Sequence, residues 1–133
     1  MKKLLFLIAG ISTIAAAEDV RDSDRIVCAT QEVILCVEHG DCFNLIPDDL
    51  SIPDFLVIDL KEKTLSTTDA SPNPRTSEID NLKQEGIRTY LQGVENERAY
   101  SLAIEMDTGL LTGSVLRDGV TVSVFGACTD ADL

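Results

Sequence analysis

With 23 Asp and Glu against 11 Lys and Arg in 133 residues, the chain carries a formal charge of −12. Such a surface repels phosphate backbones and anionic lipid headgroups, which argues against nucleic-acid and membrane-surface roles. The length suits one domain, burying roughly two thirds of the surface its unfolded chain exposes; the acid excess reads first as solubility and functionally as attraction to a basic protein.

Residues 1–17, MKKLLFLIAGISTIAAA, open with Lys2 and Lys3, continue through an apolar run and end in Ala15, Ala16 and Ala17. This is the pattern of a cleaved secretory signal peptide, too short to span a bilayer, which takes about 20 residues. Its loss with both lysines makes the chain two units more negative. The nearest cysteine, Cys28, lies well beyond the cut, so a lipoprotein is not expected, and the destination is the periplasm or the medium. In an oxidising compartment the four cysteines, Cys28, Cys36, Cys42 and Cys128, are expected to form two disulfides.

Residues 18–25 are polar except for Val20 and read as a flexible acidic arm, which leaves 26–133 as a single β domain. IVCATQEVILCV, 26–37, is rich in β-branched residues, with Val27, Ala29, Val33, Leu35 and Val37 on one face and Gln31 interrupting it. It turns at EHGD and returns as CFNLI, 42–46. Cys36 and Cys42 then sit at the two ends of one hairpin loop, within bridging reach. Their C-x2-H-x2-C spacing around His39 also matches a metal site, but zinc needs thiolates and usually four ligands, and export favours the disulfide. No metal is expected.

PDDLSIP, 47–53, is a turn bounded by Pro47 and Pro53; its Asp48 and Asp49 are adjacent, diverge, and read as surface charge. FLVIDLKEKTLSTT, 55–68, is a strand, a polar turn and a return strand. DASPNPRTS, 69–77, is the longest loop, and a weaker strand follows at 77–83 before a turn through QEG. IRTYLQG, 87–93, puts Ile87, Thr89 and Leu91 on one face with Tyr90 opposite. YSLAIEM, 100–106, aligns Tyr100, Leu102, Ile104 and Met106 at period two. LLTGSVL follows the turn at 107–109, Asp118-Gly119 makes a two-residue hairpin turn, and VTVSVFGAC sets Val120, Val122 and Val124 against Phe125.

These elements amount to an all-β chain of eight or nine strands, a small antiparallel up-and-down meander closing into a barrel or a two-sheet sandwich. The last strand is expected beside the first, so that Cys28–Cys128 staples the seam. In the chain-entropy model that long loop is worth about 4 to 5 kcal/mol, against roughly 2 to 2.5 for the Cys36–Cys42 loop.

No catalytic constellation is visible. His39 is the only histidine, and no nucleophile elbow, P-loop, dinucleotide fingerprint or metalloprotease motif occurs. Neither enzyme activity nor a cofactor is expected. Tyr100 belongs to the core face, whereas Tyr90 and Phe125 fall opposite the aliphatic sets of their strands and form the candidate recognition patch. In general character the chain resembles the exported bacterial lysozyme inhibitors, which are small, secreted, β-rich and cysteine-bridged. None of their signature segments is present, so the resemblance transfers no residues. What it implies is a binding or inhibitor-type module whose partner is a basic protein. The alternative is a small-ligand carrier or an enzyme using the mouth of the barrel.

Overall fold

The computed structural model describes residues 18–132; the signal-like segment 1–17 lies outside the described residues. Ten strands build one antiparallel sheet: β1 (Arg25–Cys36), β2 (Cys42–Leu45), β3 (Phe55–Asp59), β4 (Thr64–Thr67), β5 (Thr76–Glu78), β6 (Asn81–Glu85), β7 (Arg88–Glu95), β8 (Arg98–Glu105), β9 (Leu110–Arg117) and β10 (Val120–Asp130). Across the sheet they run β5-β4-β3-β1-β10-β9-β8-β7-β6, with β2 beside the second half of β1. No helix among the described residues is long and apolar enough to cross a membrane.

β10 does pair with β1, but in the middle of the sheet. The edges are β5 and β6, which follow one another in the chain and do not pair. The hydrogen-bonding path is therefore an open, curled half-barrel rather than the closed barrel or sandwich that strand counting suggests. The weak strand expected over 77–83 is broken at Ile79 and Asp80, and these two residues carry the chain from one edge to the other. Three Cα steps separate Glu78 from Asn81, at most about 11 Å, so the sheet has to curl enough to bring its edges together there. Ile79 is buried inside the curl, in one cluster with residues from β1, β3, β7, β8, β9 and β10.

The inner face follows the period-two pattern. Tyr100, Leu102, Ile104 and Met106 are all buried, as are Leu91, Val122 and Val124. Each fully enclosed aliphatic side chain contributes about 1.5 to 3 kcal/mol relative to an exposed one. β1 departs from the expected face. Its register against β10 slips between Thr30 and Glu32, leaving Gln31 without a partner. One extra residue reverses the parity of a strand, so the buried residues are Ile26 and Cys28 before the bulge and Val33 after it, rather than Val27 and Ala29. Ile87, expected on the buried face, is exposed beside the Gly86 turn.

Cys28 faces Cys128 directly across β1 and β10, and Cys36 faces Cys42 across β1 and β2; both pairs are disulfides. The long-range bridge is buried at the centre of the sheet, so it staples the two halves of the chain and not a seam. Residues 18–25, read from composition as an arm, lie along the sheet. Val20 is only 1% exposed, its N–H donates to the Met106 carbonyl at 2.8 Å, and Ser23 Oγ donates to Asp130 at 2.8 Å.

Candidate functional site

The curled sheet forms a partly open cavity of about 80 Å³ near one end. Leu56, Leu65, Leu102, Val115 and Val124 give it apolar walls from β3, β4, β8, β9 and β10, and Arg75, Glu95 and Arg98 stand among its polar lining. Alternation explains the walls, since inward positions on five strands converge as the sheet curls.

The strap 47–53 lies against the charged part of this lining. Pro47 opens a short 3-10 turn over Pro47–Leu50, Ser51 ends it in the left-handed region at φ 53, and Ile52 is buried with Val33, Val122 and Val124. The carbonyls at the end of the turn accept hydrogen bonds from three arginines. Arg98 Nη1 donates to Leu50 O at 3.1 Å and Ser51 O at 3.3 Å, Arg117 Nη1 to Leu50 O at 3.3 Å, and Arg75 Nη2 to Ser51 O at 3.1 Å. Glu95 holds two of the three, with Oε1 3.4 Å from Arg75 Nε and Oε2 3.5 Å from Arg98 Nη2.

The positions of these side chains follow from the turns. Glu95 and Arg98 are paired residues at the close of the β7–β8 hairpin, whose loop residues Asn96 and Glu97 take positive φ. Arg117 precedes the Asp118-Gly119 turn, and Arg75 precedes β5. Arg98 is only 7% exposed. Burial pushes its pKa down, the Glu95 carboxylate opposes that, and Arg75 and Arg117 push it further down. In a chain of net charge −12, three guanidiniums converge on the strap carbonyls with Glu95 pairing two of them, while Asp48, Asp49, Glu97 and Asp118 stand exposed around the cluster.

Two residues along the same face of β8, Tyr100 is also in the lining. Its hydroxyl is buried and has no hydrogen-bond partner among the described residues. Burial raises its pKa, and the Asp80 and Glu95 carboxylates add to the effect. A buried hydroxyl without a partner costs free energy, and such groups are uncommon away from binding sites or water.

The groups lining the cavity suit binding better than proton transfer. Guanidinium stays charged across the physiological range, and its planar fork of donors matches carboxylate or phosphate oxygens. Of the residues picked out from sequence, Tyr90 and Phe125 lie elsewhere, each 39% exposed on the outer face. They share one row across the strands, Phe125 opposite Thr112, Thr112 opposite Ala103 and Ala103 opposite Tyr90, so two small residues separate the aromatic rings. His39 occupies its turn at φ 73 with a side chain 85% exposed, and Asp48 and Asp49 are exposed on the strap.

Sequence reasoning missed Arg75, Glu95, Arg98 and Arg117. One signal was present: Arg98 has the same parity as Tyr100, Leu102 and Ile104, so alternation places a guanidinium on an otherwise apolar face. Alternation also puts Glu95 in line with Thr89 and Leu91 and Arg117 in line with Leu111 and Val115, whereas nothing local marked Arg75. Comparison with protein-family models, with curated proteins and with solved structures gives no significant match.

Proposed function

We propose that this protein is an exported binding module that holds a small molecule inside the curled sheet and does not transform it. One observation carries the reading: an apolar cavity lined by the buried Arg98 and by Tyr100, a residue whose buried hydroxyl lacks a partner. Pockets of this composition, mostly apolar with a few convergent polar groups, are typical of ligand sites. Two disulfides support residence in an oxidising extracellular compartment. Of the two functions expected from sequence, the geometry favours the carrier.

Native mass spectrometry of protein purified from its site of export tests this. A bound mass is expected on the natural chain and its loss on Val115→Phe, which fills the cavity from β9. A natural chain without bound mass that also takes up no small amphiphile on titration would overturn the reading.

A second reading, an inhibitor-type module engaging a basic protein, draws support from the Tyr90 and Phe125 row on the outer face of an acidic chain. Capture on an immobilised basic protein, released by moderate salt and weakened by Tyr90→Ser with Phe125→Ser, is its expected signature. Capture unaffected by the double substitution removes the patch from it.

A further inference from the structure

We propose that the ligand of this cavity is a singly charged anionic amphiphile whose headgroup takes the guanidiniums of Arg75, Arg98 and Arg117 from the carbonyls of the strap, while its apolar tail enters where Ile52 now sits. The inference rests on the binding-module reading above and adds the chemistry of the ligand.

Charge is the first argument. Arg75, Arg98 and Arg117 meet one carboxylate inside, Glu95, and one at the rim, the exposed Asp118 that pairs with Arg117 at 3.1 Å. Among these direct pairs one guanidinium charge is left over, and the strap's own exposed carboxylates, Asp48 and Asp49, leave with the strap when it lifts. The groups now closing the cluster are two neutral backbone carbonyls, Leu50 O and Ser51 O. The present bonds have a charged donor but a neutral acceptor; a monoanion adds a Coulomb attraction that the carbonyls lack and offers the planar guanidinium fork a matching pair of oxygens, so it competes for the same donors. The carbonyls it releases belong to a surface segment and can return to water.

Shape is the second. A cavity of about 150 Å³ accommodates benzene, so 80 Å³ holds roughly half as many carbons. If the strap lifts, the four side-chain carbons of Ile52 leave with it. The combined space takes a tail of roughly seven carbons, against Leu56, Leu65, Leu102, Val115 and Val124. The third argument is Tyr100, a buried donor in the same lining that lacks an acceptor. A ligand oxygen supplies one.

The strap is suited to exchange. Backbone hydrogen bonds within it run from Ser51 N to Asp48 O at 3.2 Å and from Ile52 N to Pro47 O at 3.0 Å, and Thr30 Oγ1 anchors its far end at Pro53 O at 3.1 Å. Asp49 N donates to Ile46 O at 3.1 Å and Thr30 N to Asp54 O at 2.8 Å, which hold the two ends, and the ties of its middle to the sheet are the arginine contacts that the headgroup would take over.

The test titrates isotope-labelled full-length exported protein with sodium octanoate and, separately, with 1-octanol, followed by NMR at two salt concentrations. Octanoate is expected to shift the Tyr100 and Leu102 amides and to bind about 10- to 100-fold more tightly than octanol, the range for hydrogen bonds to charged groups. Arg117→Gln should bring the ratio of octanoate to octanol affinity close to one, and a ratio unchanged from the natural chain would overturn the role of the arginine cluster. Hydrogen exchange at Ser51 and Ile52 should speed up when octanoate is bound. Equal affinity for the two probes overturns the anionic assignment while leaving a small-molecule module standing; failure of both to bind overturns the module as well. Unchanged exchange in the strap overturns its displacement. Sedimentation with phosphatidylglycerol vesicles distinguishes a free amphiphile from one held in a bilayer. No cosedimentation is expected for so acidic a chain, and cosedimentation would overturn the assignment to a free ligand.

Discussion

The phenol oxygen of Tyr100 occupies the space that a side chain on Gly93 would need: a β-carbon built at Gly93 would come within 2.5 Å of that oxygen and 2.7 Å of Cζ. The two residues are direct cross-strand partners on β8 and β7. Gly93 thus lets the hydroxyl end of the Tyr100 ring pack onto the neighbouring strand, and the position of Tyr100 in the cavity wall depends on it.

Gly93→Ala is expected to displace the ring and cost about 1 to 3 kcal/mol, the usual range for overpacking. Urea unfolding measures the loss. A variant as stable as the natural chain would show that the ring shifts without strain.

Tyr100→Phe removes a buried hydroxyl that has no partner, so the ligand-free variant should be more stable, by about 1 kcal/mol or somewhat more. The same group sets an alkaline limit. Below the ordinary tyrosine pKa of about 10 the phenol is protonated in both folded and unfolded chains. Above it the unfolded chain ionises while the folded chain, its pKa raised by burial and by Asp80 and Glu95, stays neutral. Stability should therefore fall as pH rises through about 10 toward the raised folded value, and Tyr100→Phe should lose that part of the dependence. Unfolding curves at a series of pH values from 8 to 11 would compare the two.

Replacing Cys28 and Cys128 by alanine should cost about 4 to 5 kcal/mol in the chain-entropy model, against roughly 2 to 2.5 for Cys36 and Cys42. The first pair also loses buried contacts at the centre of the sheet. Thermal melts of the two double variants give the order, and a larger loss from the Cys36–Cys42 pair would contradict it.

Arg98→Ala should be far more damaging than Arg75→Ala. Arg98 is buried and donates to Leu50 O and Ser51 O, and losing the hydrogen bonds of a charged donor costs about 1.5 to 3 kcal/mol, with Glu95 keeping its pair with Arg75. Arg75 is partly exposed, and its pair with Glu95 is discounted by solvent to about 1 kcal/mol or less. Limited proteolysis should also find the strap at 47–53 more readily cut in Arg98→Ala.

Much of the architecture was legible because alternation and turn chemistry are local. The 100–106 segment declares its buried face residue by residue, and Asp118-Gly119 turns with both residues at positive φ as such a pair should. The failures have equally physical causes. Gln31 shows as an interruption in the pattern, but only pairing with β10 makes it a bulge that turns Ile26 and Cys28 inward. Ile79 reads as one more residue of a strand at 77–83, until the curl requires it to pass from one edge to the other. Val20, a lone apolar residue among charges, finds its place against Met106, far away in the chain.

By itself the amino-acid order determined the strands, most of their buried faces, the tight turns and the feasibility of the Cys36–Cys42 pair, all of which depend on residues a few positions apart. Tertiary structure alone decided that the sheet stays open between β5 and β6, that the central bridge joins its two halves, and that Arg75, Glu95, Arg98 and Arg117 meet at a strap from residues 47–53. Those four residues come from two hairpins and a loop. Their convergence depends on strand order and curl, which a period-two pattern leaves free.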